Sequence, residues 1–293
     1  VFKEIRRDKV FGRAAELSYF FLFSLFPLLL VFMNLLGFFA SEESNLRESL
    51  LTYLSTLVPV SAFQLISQTL DEISDSAGGA KLSIGILIAF WASSNGMAAI
   101  TSGLNAAYNV EEARPWWRAR IVAILLTIAL AVLGLSALLL LLFGDRIGHL
   151  MAARFGMSDA FTQFWNFIRW PILLTFAFFA FCLIYRFAPN LKVQRWRWII
   201  PGSVVGVVLW LLVSFALRTY LRHFNTYSNT YGSLGAVVIL MLWFYLSGAA
   251  ILIGGEVNSE IEREAALHGN RRAKLPGQKS PEEITHGEFS SGI

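Results

Sequence analysis

The 293-residue chain is 56% hydrophobic and only 15% charged, with a mean hydropathy of +0.57, whereas soluble domains run at about 45–50% apolar and about 25% charged. That balance excludes an ordinary water-soluble nuclease, kinase or dehydrogenase, and it makes the number of membrane spans the guide to organisation. The formal net charge of +4 is spread over loops rather than gathered in one patch, which excludes a nucleic-acid surface and fits contact with anionic lipid at an inner leaflet.

A bilayer core about 30 Å thick needs about 20 apolar residues at 1.5 Å rise each. Charge-poor runs of that order occupy residues 17–40, 82–110, 121–144, 198–217 and 223–255, with a weaker one at 170–185 flanked by Arg169 and Arg186. Those two arginines can reach the headgroups along their own apolar stems. The expected fold is all-α: a polytopic membrane domain over residues 1–264 with six transmembrane helices. The first run follows a basic start (Lys3, Arg6, Arg7, Lys9, Arg13). It is longer than a signal-peptide core and lacks a small-residue cleavage site, so it reads as a retained span. The chain opens on Val1 rather than methionine, which reads as a trimmed start.

Between the first two runs, residues 41–80 carry Leu46, Leu50, Leu54 and Leu57 at helical spacing. After Pro59, residues Phe63, Ile66, Leu70 and Ile73 repeat the pattern. Two short amphipathic helices are expected there. Acids outnumber bases in this loop, so it reads as a surface that packs on the bundle or meets an envelope protein partner rather than anionic lipid. Residues 265–293 are rich in Gly, Pro, Ser and charge from Gly269 onward and read as a disordered cytoplasmic tail.

Lysine and arginine set the orientation. With the N-terminus inside, 17 of the 24 basic residues fall on the inner side and 7 on the outer. Both termini are therefore expected in the cytoplasm, with membrane lipids as the surrounding partner. Trp116, Trp117, Trp165, Trp170, Trp196 and Trp198 fall at span ends, where indole rings prefer to sit. The single cysteine, Cys182, leaves no intramolecular disulfide and no thiolate metal cluster. The four histidines (His149, His223, His268, His286) are scattered. No catalytic residue, metal ligand set or cofactor site is expected, and no Walker-type phosphate loop is present.

Polar residues inside a bilayer are costly and mark either a pathway or helix-to-helix contact. In the second span, Asn95, Ala98, Ser102, Asn105 and Asn109 repeat every three or four residues, with Ser94 adjacent, and so form one stripe. That stripe faces protein or water, as packing or as the wall of a hydrated cavity. Glu16 opens the first span; Glu256 closes the sixth and is followed by Asn258. Both carboxylates read as ion pairs with Arg13 or Arg120, or as groups that bind a proton or cation at a cavity mouth. Arg218 and Arg222, one turn apart at the outer end of the fifth span, together with Arg169, Arg146 and Arg154, read as headgroup anchors or as receivers of an anionic group. Pro27, the Gly202/Gly206 pair and Gly254-Gly255 mark places of bending or close helix contact.

Two stretches carry a further pattern. One runs Ala14-Ala-Glu-Leu-Ser-Tyr-Phe through Leu25-Phe-Pro-Leu-Leu. The other runs Tyr231-Gly-Ser-Leu-Gly-Ala through Leu242-Trp-Phe-Tyr-Leu to Gly254-Gly-Glu-Val-Asn. In both, and in its hydropathy over residues 1–264, the chain resembles the YihY/BrkB family of bacterial inner-membrane proteins. The resemblance implies an integral inner-membrane protein of a family whose activity is not established and in which transport is suspected. Some members carry a ribonuclease label that the scattered histidines here do not support. The resulting expectation is a transporter or lipid-handling protein for an amphiphilic, anionic substrate, with a non-transporting envelope scaffold as the alternative. Neither substrate nor oligomeric state follows from the sequence.

Overall fold

A computed structural model describes residues 2–39, 79–155, 159–191, 195–223, 227–268, 270 and 273. Most of the 41–80 loop, with its expected amphipathic helices, lies outside these residues, as do residues 274–293 of the expected tail. The described elements are all helical: α1 (Phe2–Arg7), α2 (Val10–Phe39), α3 (Gly79–Ala107), α4 (Trp116–Phe155), α5 (Asp159–Phe187), α6 (Trp196–His223) and α7 (Tyr227–Leu267).

Four segments among the described residues are long and apolar enough to cross a membrane: Trp116–Leu141, Gln163–Phe187, Trp196–Leu221 and Val237–Leu267. The weakest run of the sequence, 170–185, is thus part of a full-length segment, because the helix extends N-terminally through Trp165 and Phe167. The runs at 17–40 and 82–110 fall largely within α2 and α3, helices of 30 and 29 residues. At 40 and 41 residues, α4 and α7 exceed the ~20 residues that a bilayer core needs. Arginines stack on aromatic rings at the starts of α4 and α6, with Arg118 over Trp117 at 5.0 Å and Arg197 over Trp198 at 4.6 Å, as suits cationic groups near an interface.

The helix ends have local causes. Asn109 has φ 50°, its N–H bonds to Ala106 O, and Val110 N–H bonds to Asn105 O at 2.9 Å. That pair of closures is a Schellman stop, with Asn in the left-handed position that its short polar side chain tolerates. Pro115 then starts α4, its carbonyl accepting from Arg118 N–H at 2.9 Å. Lys9, with φ 51°, separates α1 from α2.

The chain divides into two compact units. One comprises residues 1–10, 100–209 and 250–293, and the other residues 11–99 and 210–249. Within the second unit, Gly248 lies against Leu17, Gly96 against Phe21, and Phe21 meets Phe244 edge-on with ring centroids 5.7 Å apart. There too Trp243 Nε1 donates to Ser214 Oγ at 3.2 Å, and Ser93 Oγ donates to Ser24 O at 3.3 Å. Within the first unit, α4 and α5 pack along each other, and Trp165 Nε1 donates to Gly144 O at 2.6 Å. Ala273 is buried with Trp198 and Ala266, so α7 and the residues just after it pack on the start of α6.

Candidate functional site

The first unit concentrates the buried polar groups. At its centre α5, α6 and α7 meet through small residues. A Cβ on Gly202 would strike the Gly254 carbonyl and the Asn258 side chain; one on Gly254 would strike the Tyr185 hydroxyl; one on Gly206 would meet Phe181 at 2.7 Å. Tyr185 is fully buried and donates its hydroxyl to Ile251 O at 2.8 Å. Gly202 N–H donates to Asn258 Oδ1 at 2.6 Å. Asn258 Nδ2 has no hydrogen-bond partner. Close backbone approach and an interhelical amide are what hold membrane helices together, because lipid supplies no hydrophobic drive for helices to associate. Asn258 therefore acts here as a clamp between α6 and α7.

A second polar network closes the end of α3. Asn105 is buried; its Nδ2 donates to Glu112 Oε2 at 3.0 Å and its Oδ1 accepts from Asn190 N–H at 2.7 Å. Arg114 grips Glu112 in a fork, with Nε to Oε1 and NH2 to Oε2 both at 2.7 Å, and also donates to Ala188 O at 2.8 Å. Partial desolvation of Glu112 works against ionisation. The hydrogen bonds from Arg114 and Asn105, with the Arg114 charge, outweigh it and hold the carboxyl below its ordinary value. Asn105 thus ties the 108–115 connection to the end of α5, and Asn109 serves as the helix stop, its Oδ1 accepting from Arg7 at 3.1 Å.

Glu256 is the third feature. It is 2% exposed and its Oε1 has no hydrogen-bond partner. The sequence suggests Arg13 or Arg120 as its partner. Asp8, Glu4 and Arg7 of the N-terminal segment lie close enough to act on it electrostatically. Arg7 is itself engaged by Glu4 at 2.6 Å and by Asp8 at 3.2 Å, and Arg263 reaches Glu4 at 3.4 Å. Glu16, in the other unit, is exposed on α2.

The remaining stripe residues divide. Ser94 is buried and donates to Trp91 O of its own helix at 2.7 Å. Asn95, Ala98 and Ser102 are exposed, whereas Met97, Ile100, Thr101 and Leu104 on the opposite side of α3 are buried. The exposed side of a helix this apolar thus carries an amide, a methyl and a hydroxyl in register. Among the arginines that the sequence places on the outer side, Arg218 and Arg146 are exposed. Arg169 is paired with Asp145 at 2.7 Å, so its charge is already partnered, and the Arg222 side chain lies outside the described residues.

The sequence does not single out Tyr185, Glu112 or Asp8. Tyr185 lies within an apolar run and only its burial identifies it. Glu112 has a usable signal, a carboxylate two residues before Arg114 in a short connection.

The family model described as Virulence factor BrkB matches residues 1–278. The chain is 40% identical over 267 residues to the ribonuclease-like protein YfkH of Bacillus subtilis (strain 168), covering 91% of this chain and 92% of that one. It is 29% identical over 267 residues to a UPF0761 membrane protein of Vibrio campbellii, covering 89% and 81%. With a UPF0761 membrane protein of Xanthomonas oryzae pv. oryzae it shares 27% over 263 residues, 87% of this chain but only 58% of the relative's length. No solved structure matches the chain. With a match along almost its whole length and apolar helices of spanning length, the chain belongs to the BrkB family of integral membrane proteins.

Proposed function

We propose that this protein crosses the bacterial inner membrane six times, with both termini in the cytoplasm, and moves or handles an amphiphilic, anionic molecule. The observation that carries this reading is the exposed Asn95–Ala98–Ser102 side of α3. An amide and a hydroxyl on a spanning helix are costly against hydrocarbon, so that side is better suited to water or to the polar part of a ligand. Ala98 between them keeps the surface shallow. Arg218 and Arg146, exposed at the ends assigned to the outer side, have the planar donor forks that suit phosphate or carboxylate. The reading is non-enzymatic. The ribonuclease-like name belongs to the Bacillus relative, and hydrolysis of a phosphodiester calls for converging His, Asp or Glu groups, whereas the histidines here are dispersed along the chain.

The test is reconstitution in liposomes containing a fluorescent phosphatidylglycerol, with movement between leaflets read by quenching from outside. Wild-type protein is expected to move the probe well above empty liposomes, and Asn95→Leu with Ser102→Leu to lower the rate at least tenfold while the protein still folds. Wild-type rates equal to those of empty liposomes, or a double variant as fast as wild type, would overturn the proposal.

A further inference from the structure

The turn between α5 and α6 carries a charge that no acid among the described residues neutralises. Arg186 lies in the last turn of α5. Among the described residues it makes no ion pair and no side-chain hydrogen bond, and its NH1 is shielded from solvent without an acceptor. The guanidinium lies over two rings, Phe187 at 6.0 Å and Trp196 at 5.8 Å, both about half-exposed. Aromatic faces attract a cation but do not satisfy its N–H donors, so the planar fork is left without an acceptor. No Asp or Glu occurs between Asp159 and Glu256, whereas Lys192, Arg195 and Arg197 follow Arg186 closely. Glu112, which Arg114 brings toward this end of α5 through its bond to Ala188 O, is already held by Arg114 and Asn105. An arginine fork with no carboxylate of its own suits an anion from outside the chain.

Position selects the anion. The spanning segment of α5 ends at Phe187 and that of α6 begins at Trp196, which puts the guanidinium at headgroup depth, where an indole also prefers to sit. From Trp196 an exposed apolar stripe continues along α6 through Ile200, Val204 and Val208, each four residues on and so on one face. A hydrocarbon chain can therefore lie directly beside the charge. We infer that Arg186, Phe187 and Trp196 form a fixed site for the phosphodiester headgroup of an anionic phospholipid, with an acyl chain along Ile200, Val204 and Val208. Arg186 donates to the phosphate oxygens in place of the carboxylate that this stretch lacks, and the two rings restrict where its fork points. The site shares no residue with the exposed side of α3, so silence in the liposome assay leaves it standing.

The test uses the full chain in detergent micelles, titrated with dioleoylphosphatidylglycerol or dioleoylphosphatidylcholine and read by native mass spectrometry. Wild type should bind its first phosphatidylglycerol about tenfold more tightly than phosphatidylcholine, the scale of one charge-assisted fork. Arg186→Gln should abolish that preference. Arg186→Lys, which keeps the charge without the fork, and Trp196→Leu, which removes a ring, should each reduce it. Arg118→Gln, which removes another ring-stacked arginine at a helix end, should bind like wild type. Inorganic phosphate in excess should not displace the lipid, because it has no chain to lie on α6. Equal binding of the two lipids by wild type, a preference that survives in Arg186→Gln, an equal loss in Arg118→Gln, or displacement by phosphate would overturn the inference. If Arg186→Gln does not fold, an undiminished preference in both Arg186→Lys and Trp196→Leu would overturn it as well.

Discussion

Replacing Gly202 or Gly254 with alanine is expected to lower the stability of the detergent-solubilised protein more than the same change at Gly96, Gly134 or Gly248. Alanine normally stabilises a helix relative to glycine by roughly 1 kcal/mol. At Gly202 and Gly254 the added carbon meets fixed atoms: the Gly254 carbonyl and Asn258 for Gly202, and the Tyr185 hydroxyl and Gly202 carbonyl for Gly254. A backbone carbonyl cannot rotate aside as a side-chain tip can. The helices must separate, which breaks the Gly202–Asn258 and Tyr185–Ile251 hydrogen bonds in the same step. Overpacking of this kind costs about 1–3 kcal/mol and occasionally more, and the lost bonds add to it. Gly134 supplies the control, since a Cβ there meets nothing within 4 Å. Thermal unfolding followed by size-exclusion profile should show Gly134→Ala at or above wild type and both junction variants well below it. Equal stability of all three would show that α6 and α7 do not touch in this way.

Loss of Asn105 is expected to be the next most damaging change. Asn105→Ala removes the acceptor of the Asn190 N–H and one of the two donors to Glu112 Oε2, which keeps Arg114, and a buried polar group stripped of its bond costs about 1–3 kcal/mol. Asn105→Asp keeps an acceptor for Asn190 but sets a second negative charge against Glu112, so it should be worse near neutral pH and recover toward alanine as either acid is protonated. The pH dependence of the parent follows from Glu112. Its folded-state carboxyl binds a proton less readily than in the unfolded chain. The stabilisation it brings is therefore complete above the ordinary carboxylate value and is lost as pH falls through the lowered folded one. Asn105→Ala removes one of the bonds responsible, and acid unfolding should then begin at a higher pH. Melting curves across the acid range for wild type and both variants check this. Identical acid limbs for wild type and Asn105→Ala would contradict the clamp.

How much of the fold and site is legible in the sequence depends on which interaction places each residue. The apolar runs announce long helices because hydrocarbon length and helical rise admit few alternatives. Gly202 and Gly206 also announce close contact through their spacing, although not that their partners are Gly254, Asn258, Phe181 and Tyr185. The stripe on α3 is a different case. Its periodicity is real, but one spacing rule groups residues with three fates. Ser94 and Asn105 are packed, Asn109 is exposed but spent on a helix stop, and Asn95, Ala98 and Ser102 are exposed along the body of the helix. An asparagine just before the polar 111–114 segment is a stop signal that helical periodicity alone overrides. Glu256 is visible as a costly charge, whereas Glu4, Arg7 and Asp8, which act on it, lie at the other end of the sequence. No local pattern connects them, because their meeting depends on how α1 folds back.

The central claim is that the Asn95, Ala98 and Ser102 side of α3 meets water within the membrane. Single cysteines at these positions and at Ser94, Met97 and Thr101, placed in a Cys182→Ala background, test it most directly with a water-soluble maleimide in nanodiscs. Alkylation needs the thiolate, which forms in water and not in lipid. Cysteines at 95, 98 and 102 should react and be protected by phosphatidylglycerol, while those at 94, 97 and 101 stay silent. Unreactive thiols at 95, 98 and 102 in a folded protein would place that side against lipid or another protein surface and contradict the claim.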